Sequence, residues 1–256
     1  MRLSPESMRV LAICPRQFQH LYVDQLTVPV PREQQQQVLQ HHRLQLRLRQ
    51  VELGLPIPDA IAVSEDVAVQ QAVSRLLTAV PELTAEGVVR EGEHQRTVVL
   101  HNHRLTVSYD WVIWDDQQAQ ILVWSTDASL DPSSLAQDWQ SRLALFVLAE
   151  TSSYTPEQLS LTHWTVPLVA ERLPTAYPLS YSTAQHQQTQ AELIHWLNDL
   201  TYWLQQYDAG TAFPQTPDLE PCFACAFARR CQRGPFSPDS PHHLPELTNI
   251  EEVPLG

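Results

Sequence analysis

Three stretches of alternating or apolar residues, Arg96 to His101, Arg104 to Trp114 and Ala119 to Thr126, are separated only by the short polar turns HNH and DDQQ. Strands so close in the chain pair with their immediate neighbours, and β-branched and aromatic residues fill all three. The middle of the chain is therefore expected to be a three-stranded antiparallel meander. Such a sheet must be covered by helices, which sets the fold class as α/β.

Helical patterns lie on both sides of the meander. Ser4 is an N-cap with Pro5 at the first helical position, and Met8, Leu11 and Ala12 follow on one face. Pro15 breaks this helix, after which Phe18, Leu21 and Tyr22 keep helical spacing until Pro29 and Pro31. Gln34 to Leu53 reads as a Gln-rich helix with Leu39, Leu44 and Leu48 as a thin apolar face, and Glu65 to Ala79 as another, closed by Pro81. After the meander, Ser134 to Glu150 carries Trp139, Leu143, Phe146 and Val147 at helical spacing. Leu159 to Leu168 and Tyr177 to Tyr181 return to strand. Ser182 and Gln185 then open a long helix whose stripe of Leu193, Trp196, Leu200 and Trp203 ends near Gly210.

At 256 residues with 43% hydrophobic content, the chain can fill one sizeable core. Residues 1–233 are expected to form one domain, and 234–256, with Pro235, Pro238, Pro241 and Pro245, a disordered tail. The chain has no apolar run of membrane-spanning length, no signal-peptide layout at its start and only four cysteines, so a cytoplasmic location and no membrane partner are expected. A formal net charge of −13 excludes a general nucleic-acid coat, because sequence-independent binding depends on basic side chains. All 16 basic residues are arginine, and the sequence contains no lysine.

Cys222, Cys225 and Cys231 follow a C-x2-C-x5-C spacing, while Cys14 stands alone near the other end. The three need one more ligand to complete a tetrahedral zinc site or an iron–sulfur cubane, and Cys14 supplies it. His242 and His243 lie in the proline-rich tail, away from any ordinary zinc spacing. The plain alternative is four unrelated buried cysteines, since free Cys packs as a small hydrophobe.

The stretch LSPESMRVLAICPRQFQHLYV resembles the opening helix of RecB-type PD-(D/E)XK nucleases, in which a Ser begins the helix and a CPR-F---Y segment follows. The lone early cysteine with a distant C-x2-C-x5-C group resembles the iron–sulfur staple of the AddB and CRISPR-associated members. This resemblance runs from about residue 3 to residue 233. It implies a restriction-endonuclease-like core of helix, three-stranded meander, helix and strand, with helical additions at both ends. It also implies a [4Fe–4S] cluster on Cys14, Cys222, Cys225 and Cys231, with zinc the alternative, closing a loop of about two hundred residues.

In that family an Asp on the second strand of the meander and a (D/E)-x-K on the third hold one or two Mg²⁺ ions, the lysine polarising the attacking water. The Asp matches Asp110 in TVSYDWVIWDD. In ILVWSTDAS the same pattern puts Val123 at the carboxylate position and Ser125 at the lysine position, with Trp124 and Thr126 still matching. The family's Gln and Tyr on the next helix fall on Arg142 and Phe146. No lysine from elsewhere can substitute, and arginine is a poor proton acceptor. Asp127 and Asp131 fall where the strand turns away, and Asp115 and Asp116 read as turn residues. His41 or His42 lies where the family carries a metal-binding histidine, although Gln45 fits that position equally. Arg43, Arg47 and Arg49, and separately Arg229, Arg230 and Arg233, could contact phosphates or simply solvate helix faces.

These features imply a nuclease-family domain with Asp110 as a vestige and resident Mg²⁺ lost. It would act with a protein partner in a DNA repair or recombination assembly, or on single-stranded DNA or DNA ends. The rivals are an active metal-dependent exonuclease with a site rebuilt on Asp110, Asp127 and a histidine, and a zinc-stapled interaction module.

Overall fold

A computed structural model of the chain describes residues 1–55, 64–127, 131–169 and 172–233. The expected tail and its His242 and His243 lie outside the described residues. The strands are β1 (Arg2–Leu3), β2 (Val89–Leu100), β3 (His103–Trp114), β4 (Ala119–Ser125), β5 (Leu159–Thr165) and β6 (Thr175–Ser180). The helices are α1 (Pro5–Ile13), α2 (Pro15–Phe18), α3 (Arg32–Glu52), α4 (Ser64–Ala79), α5 (Trp139–Glu150) and α6 (Thr183–Asp208).

The expected meander is present. β2 and β3 pair antiparallel from end to end except at Glu93 and Asp110, through a two-residue turn at His101 and Asn102, both with positive φ, as type I′ hairpins require. Along the other edge of β3 its partner changes. β1 pairs parallel with Arg104 and Leu105, while β4 pairs antiparallel with Trp111 to Trp114. β5 continues the sheet parallel to β4, and β6 closes it antiparallel.

Helices cover both faces. On one, α1, α5 and α6 bury Met8, Leu11, Phe146, Leu193, Leu197 and Leu200 against Leu105, Val107, Tyr109 and Ile121 of the sheet. On the other, α3 and α4 bury Leu44, Leu48, Val69, Val73 and Leu76 against Trp111, Leu122 and Trp124. The start of α1 is fixed as expected: Ser7 N–H donates to Ser4 Oγ and Ser4 N–H to Ser7 Oγ, a reciprocal capping box.

Several features differ from the sequence reading. β2 begins at Val89 rather than Arg96, because the polar run REGEHQ alternates in burial just as an apolar strand would. α5 begins at Trp139, after a series of turns from Pro132 to Ser134 onward. Beyond Phe18 the chain widens into a π-helical turn, Gln19–Val23, instead of continuing as an α-helix. Leu39 does not share a face with Leu44 and Leu48: those two are fully buried, whereas Leu39 is 50% exposed.

That difference is measurable. Leu48→Ala should lower the unfolding free energy by about 2–5 kcal/mol, the range for emptying a packed leucine site. Leu39→Ala should change it by less than about 0.5 kcal/mol. Urea titrations of the two variants check this, and equal losses would contradict the assignment of faces.

Candidate functional site

Asp110 sits where β4 leaves β3. Trp111 and Leu122 are the last couple in register, and beyond them the strands part. The Asp110 carboxylate turns toward α3 and accepts from Gln45 Nε2 at 2.8 Å and from the Trp124 backbone N–H at 3.1 Å. Both donors are neutral. Burial pushes the Asp110 carboxyl above its ordinary range, against the opposing pull of the Trp124 amide, the His41 ring and the Gln45 amide. Burial likewise lowers His41, whose charged form the Asp110 carboxylate favours.

Around this group is a cleft of about 280 Å³, bounded by Gln45, Arg49, Glu93, Ser108, Trp111 and Trp124 among others. Its rim is built by an ion pair at the end of α3. Arg49 pairs with Glu52, and Glu52 accepts the Gly92 N–H at 2.8 Å. A Cβ at position 92 would displace the Glu52 carboxylate from its place against β2. The next residue, Glu93, adopts a positive φ of 52° and brings a second carboxylate to the cleft, 4.0 Å from Arg49 Nε.

The sequence-derived positions divide clearly. Asp110, Gln45 and His41 come together. Val123 and Ser125 do not line the cleft: Val123 packs against the α1, α5 and α6 core, and Ser125 Oγ accepts the Asp127 N–H at 3.0 Å. The β4 side chains on the α3 side are Leu122 and Trp124. Asp115 accepts the Gln117 and Gln118 amides and Asp131 caps Ser133, each a turn residue as expected. His42 is exposed. Arg142 pairs with Glu192 at 2.7 Å and lies over the Trp139 ring, and Phe146 is buried in the core. Glu93 had no sequence signal as a cleft residue, since REGEHQ gives no apolar alternation by which to register it; Arg49, read as a possible phosphate contact, reaches the cleft rim and faces Glu52 and Glu93.

The four cysteines also come together. Cys14, Cys222, Cys225 and Cys231 line one cavity with Phe227 and Arg233, and all are free thiols. Burial raises the Cys225 thiol, opposed by hydrogen bonds from the Phe227 and Ala228 amides, and neighbouring Cys14 and Cys222 raise it further. Burial also raises Cys231, which Arg16 pulls back down. His20 Nε2 lies 3.8 Å from Cys231 Sγ, and its Nδ1 lies 2.9 Å from Asp24, which in turn accepts from Tyr207 OH at 2.7 Å. Gln19 accepts the Phe213 N–H and Arg16 donates to the Phe213 carbonyl. Among the described residues no three His, Cys, Asp or Glu side chains stand ready as the shell of a single ion. The cavity brings four thiols together beside Gln17, Gln215, Thr216 and Arg233, with no carboxylate in its lining, and the thiols are the donors that fit a thiolate-bound group.

A family model described as the PD-(D/E)XK nuclease superfamily matches residues 2–232. The chain belongs to the PD-(D/E)XK nuclease superfamily. The fold agrees. A crystal structure from Eubacterium rectale, described as a "Putative exonuclease", superposes with a TM-score of 0.57 at 9% identity, covering 93% of this chain and 91% of that one. The crystal structure of SSO0001 has a TM-score of 0.41 at 13% identity, covering 91% and 86%. No curated protein sequence matches the chain. Within this PD-(D/E)XK domain, Asp110 lies on β3 and faces the cleft beside α3. No helix among the described residues is long and apolar enough to cross a membrane.

An acid with a raised folded pKa leaves the native state most stable below the ordinary Asp value of about 3.9, and stability falls as pH climbs through the folded value. Asp110→Asn removes that fall. Asparagine keeps an oxygen for the Trp124 amide, and Gln45 can reverse its own amide to accept. Relative to wild type, the variant should gain stability as pH rises from about 4 to 7, as read from urea midpoints. Parallel profiles would mean that Asp110 ionises without penalty.

Proposed function

We propose that this PD-(D/E)XK domain is a RecB- and AddB-like member that has lost nuclease chemistry and serves as a scaffold for a protein partner in a DNA repair or recombination assembly. The observation that carries this reading is the state of Asp110. Its two oxygens are occupied by neutral amide donors, and the adjoining strand AQILVWS holds no ionisable group on either face. Whichever register is chosen for the missing pair, β4 offers neither a carboxylate nor a lysine. Two-metal phosphodiester hydrolysis needs several oxygen ligands and a group to ready the water. Lysine is absent from the whole sequence. The net charge of −13 favours a protein partner over extended DNA contact.

One observation favours the rival active enzyme: Glu93 brings a second carboxylate to the Asp110 cleft. Its side chain is 70% exposed and faces Arg49, which competes with a metal for it. Single-stranded and end-labelled duplex DNA incubated with magnesium or manganese decides the matter. No cleavage above that of an Asp110→Ala/Glu93→Ala control is expected. Metal-dependent cleavage that the double variant abolishes would establish the active enzyme instead. Salt-dependent binding of short single strands without cleavage would assign the scaffold to DNA.

The cysteine centre completes the reading as a [4Fe–4S] staple held by Cys14, Cys222, Cys225 and Cys231, with zinc the alternative. When bound, such a group supplies a four-thiolate cross-link between the two ends of the domain. Arg16 and the Phe227 and Ala228 amides favour the thiolate forms that this requires. Anaerobically purified protein should be brown, with iron and sulfide in near-equal amounts. Cys225→Ser should lose that colour and most of the iron. Colourless protein containing zinc would select the zinc-stapled module.

A further inference from the structure

The Asp110 carboxylate reaches a cleft of about 280 Å³ with acceptor capacity to spare. An ionised carboxyl offers about four lone-pair sites, and the Gln45 and Trp124 amides fill two of them. Neither donor is charged. The His41 ring also acts on Asp110, but burial holds that ring toward its neutral form. Among the described lining residues the arginine is Arg49, whose charge is paired with Glu52 and faced by Glu93. Asp110, Glu52 and Glu93 thus outnumber the fixed positive charge around the space. Leu48 of α3 and the indoles of Trp111 and Trp124 pack on this side of the sheet and give the cleft apolar walls.

Chemistry selects the occupant. Phosphate would meet carboxylates, and a divalent ion needs several oxygens beyond those left on Asp110. An organic cation meets both features, with its charge against the carboxylates and its stem against the walls. Guanidinium suits them better than ammonium, because its planar fork fits a carboxylate and its face stacks on indole. This chain has no lysine, and its 16 arginines all lie among the described residues, with none in 56–63, 128–130, 170–171 or 234–256. Those stretches therefore carry no guanidinium or ammonium side chain to fill the cleft from within.

We propose that the Asp110 cleft is a slot for one arginine side chain of the partner protein, with the guanidinium facing Asp110 and Glu93 and the stem lying along Leu48, Trp111 and Trp124. This slot rests on the protein-partner reading above and names the group that the partner presents.

The probe is N-acetyl-arginine methylamide, titrated into the isotope-labelled full chain at constant ionic strength and read at the Trp111 and Trp124 indole N–H signals. It should saturate them and bind at least tenfold more tightly than its citrulline counterpart, which has the same shape without the charge, and more tightly than its lysine counterpart. Asp110→Asn should weaken it at least tenfold with the rest of the spectrum unchanged, and Glu93→Gln, at an exposed position, at least threefold. No saturable shift, equal binding of the citrulline form, or binding that neither variant weakens overturns the slot. So does tighter binding of free arginine, which makes a free amino acid the occupant, or saturation by magnesium instead, which makes the cleft a metal site. A dimer in sedimentation that Asp110→Asn dissociates also overturns it, because a second copy then supplies the arginine. Absent probe binding in a chain that cleaves no DNA removes the slot and leaves the silent scaffold standing. Cleavage by a chain that takes the probe removes the scaffold reading and keeps the slot.

Discussion

The structure turns on one break in the alternation of its central strand. Leu105, Val107 and Tyr109 point to the α1, α5 and α6 core, as a period of two requires, and Trp111 should follow them. It does not. Trp111 joins the α3 and α4 core while Val112 crosses to the first. The change of face falls at Asp110, opposite Glu93 with its positive φ, and at the place where β4 peels away. Irregularities of this kind re-aim a side chain that a regular pleat would bury. The same break lets one sheet feed two cores and opens the cleft between them.

A lone carboxyl in such a place must be neutralised somehow. Burying an unpaired carboxylate costs several kcal/mol, while each hydrogen bond to the charged form returns about 1.5–3 kcal/mol. Two neutral donors therefore offset much of the penalty without removing it, which is why Asp110 is raised even though both oxygens are bonded. A divalent cation would answer the same problem with far more charge, but it needs several more oxygens. Amide donors from Gln45 and Trp124 point their hydrogens at the space a metal would have to share. The two solutions compete for one carboxylate, and burial favours the proton.

Much of this was legible beforehand because it follows from local rules. Ser4 with Pro5, the two hairpin turns, the helical stripe of α6 and the convergence of four cysteines rest on capping, turn chemistry and thiol spacing, and each is where the sequence places it. Asp110 stood out as a charge inside an apolar strand. What could not be read depends on tertiary context. A two-residue strand such as β1 has no periodicity to detect. The polar half of β2 gains its alternation only from its pairing with β3. Leu39, Leu44 and Leu48 are all leucines on a Gln-rich helix, and only the position of α4 tells which of them is inside. The side on which Val123 sits was obscured because pattern matching counts residues along β4, whereas the faces are set by where the alternation of β3 breaks.

The cysteine centre acts on a different part of the molecule from the sheet. β1 beside β3, and α1 against α5, already hold the start of the chain to the core without any bound group. Loop-closure entropy also grows slowly, by about 0.6 kcal/mol per doubling of length, so the long span alone adds little beyond what these contacts fix. The segment after α6 is the part that needs a tie. From Thr211 to Arg233 it contains only the 3-10 turn Glu220–Cys222 and a series of tight turns, with no ladder to a neighbour. Its order comes from side chains: Phe213 buried among Phe18, Trp203 and Tyr207, its backbone bracketed by Gln19 and Arg16, and three thiols facing Cys14. The π-helical turn contributes here, because it carries His20 and Asp24 to Cys231 and Tyr207. Loss of the thiolate cross-link would therefore loosen the C-terminal loop and the end of α6 first, while the sheet and the Asp110 cleft, on their own two cores, would stand.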